Sequence, residues 1–410
     1  MFIASASSTS DPLGRYYTDP VVGALLVDAM GIECPSTVMD ICAGDGALVS
    51  EAAKLWSNSS FLTVDIEVDG QAALLNKLNG RLVSHYVGDA LDLNLADRIG
   101  IQDSGVDAAL CNPPYIRPKW KKHYSELLED AGLSHVFSRI REVPADLLFV
   151  AQNLRLLRHD GKVGFILPDG IVAGERYSRF RAALIQNHMI ECVIELPRRI
   201  FRGTDAKAHI VVVAKNGCKR RDSIAVKQLI GNGTVSKQIK IDLDTAIRRL
   251  DYSYLSAQRK RHISKINRKI GDIAIKVFRG GYSSTDIFRV HFPVFHTSDF
   301  SEFGAYVPKR FSLDQENRKL VNKPIALPGD ILIARVGRNL SQKVCMVKTG
   351  KIAVSDCVLV LRVPLEYRDD VFSFLRSYTG RAALESVSHG VGAQFITVHS
   401  LLELDYSASL

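Results

Sequence analysis

"TVMDICAGDGAL" (37–48) decides how the first half of this chain folds. A short apolar run ends on Asp40, and Ala43, Gly44, Asp45 and Gly46 then form a tight turn into a helical pattern that begins at Ala47. In a parallel sheet wound with helices, a turn of small residues at the carboxyl end of the first strand lets backbone N–H groups approach a nucleotide-like ligand. The spacing is G-x-G-x-x-V, with Val49 where a dinucleotide fold places its third glycine. That spacing argues against a pyrophosphate and against NAD.

Working outward, short β-branched runs alternate with helical stretches, the pattern of an α/β fold. Seven strands are expected: "TVMDI" (37–41), "FLTVDI" (61–66), "RLVSHYV" (81–87), "VDAALC" (106–111), "KVGFILP" (162–168), "ECVIELP" (191–197) and "AHIVVVAK" (208–215). The link between the last two, "RRIFRGTDAK", is too short for a helical crossover, so strand seven should run antiparallel to strand six. Asp65 ends the second strand, where a carboxylate can accept from vicinal ribose hydroxyls. Asp89, in "GDA" (88–90), ends the third, placed to accept from an adenine amine. Any one of these acids could be an ordinary helix cap. Three at successive strand ends describe an adenosine pocket without a phosphate grip, which fits S-adenosylmethionine.

The fourth strand ends in "LCNPPYIRPKW" (110–120). Pro113 and Pro114 have fixed φ and no N–H, so the backbone there neither extends a ladder nor enters a helix, and its carbonyls become rigid acceptors. With the Asn112 side chain and the Tyr115 ring, they suit a flat group bearing an NH2. The basic stretch that follows, with Arg117 and Lys119, is placed to meet phosphates.

On these residues the chain resembles the class I DNA amino-methyltransferases: Asp40 to Gly46, Asp65, Asp89 and Asn112-Pro113-Pro114-Tyr115 correspond to their first four motifs. "GRYYTDP" (14–20) resembles the N-terminal motif that completes the cofactor site, "PADLLFVAQNLRLLRHDGKVGFILPDG" (144–170) the fifth and sixth, and "LPRRIFRGTDAKAHIVVVAK" (196–215) the eighth. The motif order is that of the γ class and of type I modification subunits. Two positions depart from the pattern: Ile41 stands where proline is common, and Asp19 separates Thr18 from Pro20.

The resemblance implies a Rossmann-like seven-stranded catalytic domain. Its cofactor residues are Tyr17, Thr18, Asp40, Ala43, Gly44, Gly46, Asp65, Ile66, Asp89, Ala90, Asn112 and Pro114, with Asp146 and Phe149 facing the cofactor. The target base would be held by Asn112, Pro113, Pro114 and Tyr115, with Phe201 offering a second stacking face. The implied reaction is methyl transfer to the N6 amine of an adenine flipped out of double-stranded DNA. Cytosine N4 presents the same kind of amine and is the alternative. A protein glutamine methyltransferase shares Asn-Pro-Pro-Tyr but needs no second module, and a non-catalytic recognition subunit would not need the intact motif set.

Beyond "NGCKRRDS" (216–223) the rhythm changes to short strands with irregular links, so a catalytic domain is expected over 1–221 and a second, α+β domain over 222–410. The second half carries no nuclease, Walker or metal-ligand pattern. "RRLDYSYLS" (248–256), "KIGDIAIKVFRGGYSSTD" (269–286), "ALPGDILIARVGRNLSQKVCMV" (326–347), "AVSDCVLVLRV" (353–363) and "SVSHGVGAQFITVHSLLELDY" (386–406) resemble the target-recognition domain of type I specificity subunits. The resemblance makes Lys269, Arg335, Arg338 and Gln394 candidates for DNA contact.

The composition agrees with a nucleic-acid partner: 53 Lys plus Arg oppose 44 Asp plus Glu, for a net charge of +9. Seven cysteines without a C-x-x-C pair argue against a zinc site or a disulfide frame, and no metal is expected. The chain has neither a signal-peptide pattern nor an apolar run of about eighteen residues, so a cytoplasmic protein without membrane contact is expected, as monomer or homodimer. A separate restriction endonuclease is the partner that the resemblance leaves open.

Overall fold

The computed structural model describes residues 18–68, 74, 77–78, 83–101, 105–137, 142–201, 207–216, 222–231, 233–262, 268–290, 292–301, 304–306, 323–390 and 393–406. The chain divides into two compact units, Met1–Tyr252 and Ser253–Leu410.

The first unit is built on one sheet. Its strands are β1 (Thr37–Asp40), β2 (Ser60–Asp65), β3 (Val83–Val87), β4 (Val106–Cys111), β5 (Leu157–Pro168), β6 (Met189–Glu195), β7 (Ala208–Ala214), β8 (Ser223–Gly231), β9 (Thr234–Val235) and β10 (Ile239–Asp242). They lie in the order β10-β8-β6-β7-β5-β4-β1-β2-β3, with β9 a hairpin partner of β8. All seven expected strands are present. β7 inserts antiparallel between β5 and β6, as the short link requires. The central strands are almost continuously apolar and buried; β7 is buried at every position. This is the composition of a sheet covered on both faces.

Local chemistry sets the entry to this sheet. The helix Pro20–Ala29 begins with Pro20 in its first turn and Asp19 as its cap, whose side chain accepts from the Val21 N–H at 2.9 Å. The residue that separates Thr18 from Pro20 in the motif therefore serves as the helix cap. Val22, Leu26 and Met30 then enter the core that covers one face of the central strands.

The boundary expected at 221/222 lies thirty-one residues later, at 252/253. β8 pairs parallel with β6, and β10 pairs antiparallel with β8, so the chain past 222 extends the large sheet before leaving it. The physical reason is the open edge of β6: an unpaired row of backbone donors and acceptors recruits the next extended segment. The helix Leu243–Arg248, capped by Asp242, closes the unit.

The second unit is α+β. Its main sheet has five strands in the order Lys276–Arg279, Val358–Arg362, Ile331–Ala334, Val344–Val347, Ala305–Tyr306. A three-stranded sheet is formed by Val294–Phe295, Ile352–Val354 and Ile325–Ala326. The helices Arg368–Arg376 and Tyr378–Ser386 bury Val371, Leu375 and Leu384 against the core of this unit.

Candidate active site and nucleic-acid interface

β1 and β4 are parallel neighbours, with Asp40 opposite Leu110. Their carboxyl ends therefore carry the glycine turn and the Asn-Pro-Pro-Tyr segment side by side. Gly44 and Gly46 have φ of +53° and +78°, a conformation that a side chain disfavours. A Cβ added at Gly44 would meet nothing within 4 Å, so its face of the turn is open to a ligand. Gly46 leads directly into the helix Ala47–Leu55 and provides no side-chain cap for its first N–H groups.

Two of the three acids brace this turn. Asp40 is 1% exposed beneath it, and its Oδ1 accepts from the Cys42 N–H at 3.1 Å. It braces the loop through the Cys42 N–H. Burial, opposed by the Cys42 N–H, pushes its carboxyl up to about 7. Asp65 is half-buried: Oδ2 accepts from the Gly44 N–H at 2.7 Å and Oδ1 from the Glu67 N–H at 3.0 Å. Ile66, next to it, is 63% exposed, an apolar surface that a flat base could cover. Asp89 accepts from the Leu91 N–H at 2.9 Å through Oδ1 and from Lys121 Nζ at 2.5 Å through Oδ2. Ala43 and Ala90 are buried beside these groups.

Asn112 donates from Nδ2 to Thr18 Oγ1 at 3.1 Å. That bond joins the N-terminal motif to the fourth and turns the amide oxygen away from Thr18. Pro113 is buried and Pro114 half-buried, while the Tyr115 hydroxyl donates to the Ile166 carbonyl at 3.2 Å, tying the segment to β5. The Ala145 N–H donates to the Ile116 carbonyl at 2.9 Å, so the helix Ala145–Leu156 starts against the end of the same segment. In its first turn Asp146 is 5% exposed, and burial pushes its carboxyl up to about 7; Phe149 is also buried. Arg117 and Lys119 are exposed on the lip that follows.

Tyr17 lies outside the described residues. Phe201 does not fit its expected role. It is 2% exposed and packs in the same apolar cluster as Ile194, Leu196 and Ile210, so its ring serves as core rather than as a base-stacking face. Isolated aromatic residues carry no sequence mark that separates the two uses.

Two features were not anticipated. Cys42 and Cys111, at the ends of β1 and β4, hold their Sγ atoms 3.2 Å apart; burial pushes both thiols up, which keeps them protonated and unreactive. At the ends of β5 to β7 a buried charge network has Lys207 Nζ at its centre, 3.2 Å from Glu195, 3.5 Å from Asp169 and 4.0 Å from Asp251. Asp169 also pairs with His209 Nε2 at 3.0 Å, and Asp251 with Arg249 at 2.7 Å. Burial alone would raise the Asp169 carboxyl, but Lys207 first and then His209 and Arg249 hold it well below the usual carboxylate range.

In the second unit, the pairing of Val336–Gly337 with Gln394–Phe395 brings the neighbourhoods of Arg335, Arg338 and Gln394 together. Gly329 and Asp330 make the expected turn, and Asp330 is fixed by two bonds from Arg362, at 2.8 and 2.7 Å. Arg335 Nε donates to the Asp356 carbonyl at 2.6 Å; the carboxylate of the same residue takes Arg279 at 2.5 Å. Arg279, within the quoted segment 269–286 but not singled out there, thus joins the arginine patch. Lys269 sits in a separate strand pair and is bound to Glu403 at 2.5 Å. Among the described residues no group of three or more His, Cys, Asp or Glu could hold a metal ion, and no helix is long and apolar enough to cross a membrane.

The chain is 25% identical over 229 residues to a type I restriction enzyme MjaVII methylase subunit of Methanocaldococcus jannaschii, a match of 51% of this chain and 37% of that protein. It is 24% identical over 226 residues to a type I restriction enzyme MpnII methylase subunit of Mycoplasma pneumoniae, covering 50% of this chain and 41% of that protein. The chain thus spans less than half the length of either relative. The structure of the type IIG restriction endonuclease BpuSI is similar in fold over 97% of this chain and 59% of that one, with a TM-score of 0.54 and 13% identity. The N-6 DNA methylase family model matches residues 2–268, nearly two thirds of the sequence. The chain belongs to the N-6 DNA methylase family.

Proposed function

We propose that this protein is a site-specific DNA methyltransferase that transfers a methyl group from S-adenosylmethionine to the N6 amine of a flipped-out adenine, within a restriction-modification system. The observation that carries the reading is the tether between Thr18 and Asn112 beside the open face of Gly44. It fixes the amine acceptor to the N-terminal motif, while the Asn112 segment and the Gly44 turn leave adjacent parallel strands.

The residues present fit that cofactor. The Gly44 turn is open, Ile66 offers an exposed apolar face and Asp89 a carboxylate at its edge, and Asp65 retains acceptor capacity for a ribose. S-adenosylmethionine, when bound, supplies an electrophilic methyl group on a sulfonium. An exocyclic adenine amine is a weak nucleophile because its lone pair is delocalised into the ring. The Asn112 amide oxygen and the Pro113 carbonyl can accept its two N–H groups and favour a pyramidal nitrogen. Catalysis is then positioning and electrostatics, with no base needed before attack. Tyr115 supplies a stacking face for the base, an interaction worth about 1–3 kcal/mol.

The second unit would read the sequence. Base contacts fit Arg335, Arg338 and Gln394, with Arg279 added to them, while lysines position the phosphates. Long-read sequencing of DNA from a methylation-free host expressing the protein tests the whole reading, because it reports modified base and sequence motif together. N6-methyladenine at one recurrent motif supports it; N4-methylcytosine would transfer the same mechanism to the alternative base, and unmodified DNA would count against it.

A further inference from the structure

Lys121 belongs to the basic stretch after Asn-Pro-Pro-Tyr, yet its ammonium lies 2.5 Å from Asp89 Oδ2. Asp89 is the carboxylate proposed to hold the cofactor's adenine amine, and its other oxygen already accepts from Leu91. Asp92, another acid whose charge acts on Lys121, has its own partner in Arg98 at 2.7 Å. Lys121 and Asp89 remain 50% and 37% exposed in their side chains, so this is a solvated ion pair, easily exchanged for another partner.

The surrounding frame does not depend on that pair. His123 Nε2 meets the Leu91 carbonyl at 3.0 Å, Gln152 Nε2 donates to the Ala90 and Asp92 carbonyls at 2.9 Å each, and Arg155 donates to the Leu93 carbonyl at 2.7 Å. Tyr124 is buried one turn further on, edge-to-face with Trp120. Lys121 can therefore leave Asp89 while the lip stays in place, and it would then join Arg117 and Lys119 on that lip.

We propose that Lys121 couples the cofactor pocket to DNA: its ammonium and the cofactor's adenine amine compete for Asp89, and cofactor binding hands Lys121 to a DNA phosphate. The inference rests on the reading of Asp89 as the adenine acceptor. By linkage, the factor by which cofactor strengthens DNA binding must equal the factor by which DNA strengthens cofactor binding. One added phosphate contact raises the salt slope of DNA binding by about 0.9.

The test uses the full chain, a fluorescent DNA duplex and S-adenosylhomocysteine as the unreactive ligand, with DNA affinity measured over a salt series and ligand affinity by calorimetry. In the unsubstituted protein the ligand should steepen the salt slope by about 0.9 and tighten DNA binding severalfold. In Lys121→Met the ligand should bind more tightly, and the slope should no longer respond to it; Lys121→Arg should restore the response. An unchanged slope in the unsubstituted protein despite ligand binding, or a full response in Lys121→Met, would overturn the coupling alone. Failure of the unsubstituted protein to bind S-adenosylhomocysteine would overturn the cofactor reading and the coupling with it.

Discussion

Two charge clusters, one in each unit, are built in opposite ways. In the first, Asp169, Asp251 and His209 are almost wholly buried around Lys207, each acid facing an opposite charge at the ends of adjacent strands. In the second, Arg279 and Arg335 gather around the single residue Asp356, with half of the Arg279 side chain exposed. Buried charge must be matched in place, because desolvation makes any mismatch costly. An exposed arginine patch can exchange its partners, which suits a polyanion met in many registers. Fixed geometry therefore marks the strand ends around Lys207, and exchangeable cations the patch around Asp356.

The largest break in this comparison should come from Lys207→Met, which leaves Glu195, Asp169 and Asp251 buried without their shared cation. Thermal and denaturant unfolding should show a loss of about 3–5 kcal/mol. A loss below 1 kcal/mol would mean that the network is more hydrated than its burial implies.

Asp40 sharpens the same point through pH. Burial pushes its carboxyl up to about 7 from the ordinary 3.8, so the folded state holds a proton across this range that the unfolded state has lost. Stability from this group is present below about pH 4 and is lost as pH rises through 7, by on the order of 4 kcal/mol in all. Asp40→Asn should therefore flatten the fall in stability between pH 4 and 7, read from melting temperatures across that range. Asp146, raised in the same way, contributes a parallel fall.

Asn112→Ala should lower methyl transfer by roughly a hundredfold or more, the scale of losing one aligned polar group at a reacting centre. Cofactor affinity should fall by much less, because the Gly44 turn, Asp65 and Asp89 remain while only the Thr18 tether is lost. Retention of more than about a tenth of the turnover would argue against the acceptor cradle.

In the second unit the effects should be smaller and should differ in kind. Arg335→Ala is expected to cost about 1–3 kcal/mol at one base position, measured by binding to single-base variants of the site. Lys269→Ala should weaken binding to all sequences alike and lower the salt slope by at most about one. Its ion pair with Glu403 already engages the ammonium, so no change in slope would assign Lys269 to that pair rather than to DNA.

Most of the strands were legible because they are apolar runs closed by an acid or a proline, a signal that tertiary context strengthens rather than overrides; β3, with Ser84 and His85, and β7, followed by Lys215, carry it less fully. The glycine turn and Asn-Pro-Pro-Tyr were legible for a related reason: φ above zero and paired prolines restrict the backbone locally, whatever surrounds them. The domain boundary was not, since whether "SIAVKQLIG" (223–231) founds a new sheet or extends an old one depends on the open edge of β6, far away in sequence.

Sequence alone thus determined which segments form strands, the acids at their ends and the Asn-Pro-Pro-Tyr segment, all set by restrictions acting over a few residues. Only the tertiary structure decided what those groups touch. Asp40 went beneath its turn, Phe201 into the core, Lys121 onto Asp89 and Arg279 beside Arg335. A side chain's partner is chosen by packing and desolvation among residues brought together from distant parts of the chain, and no local pattern records that choice.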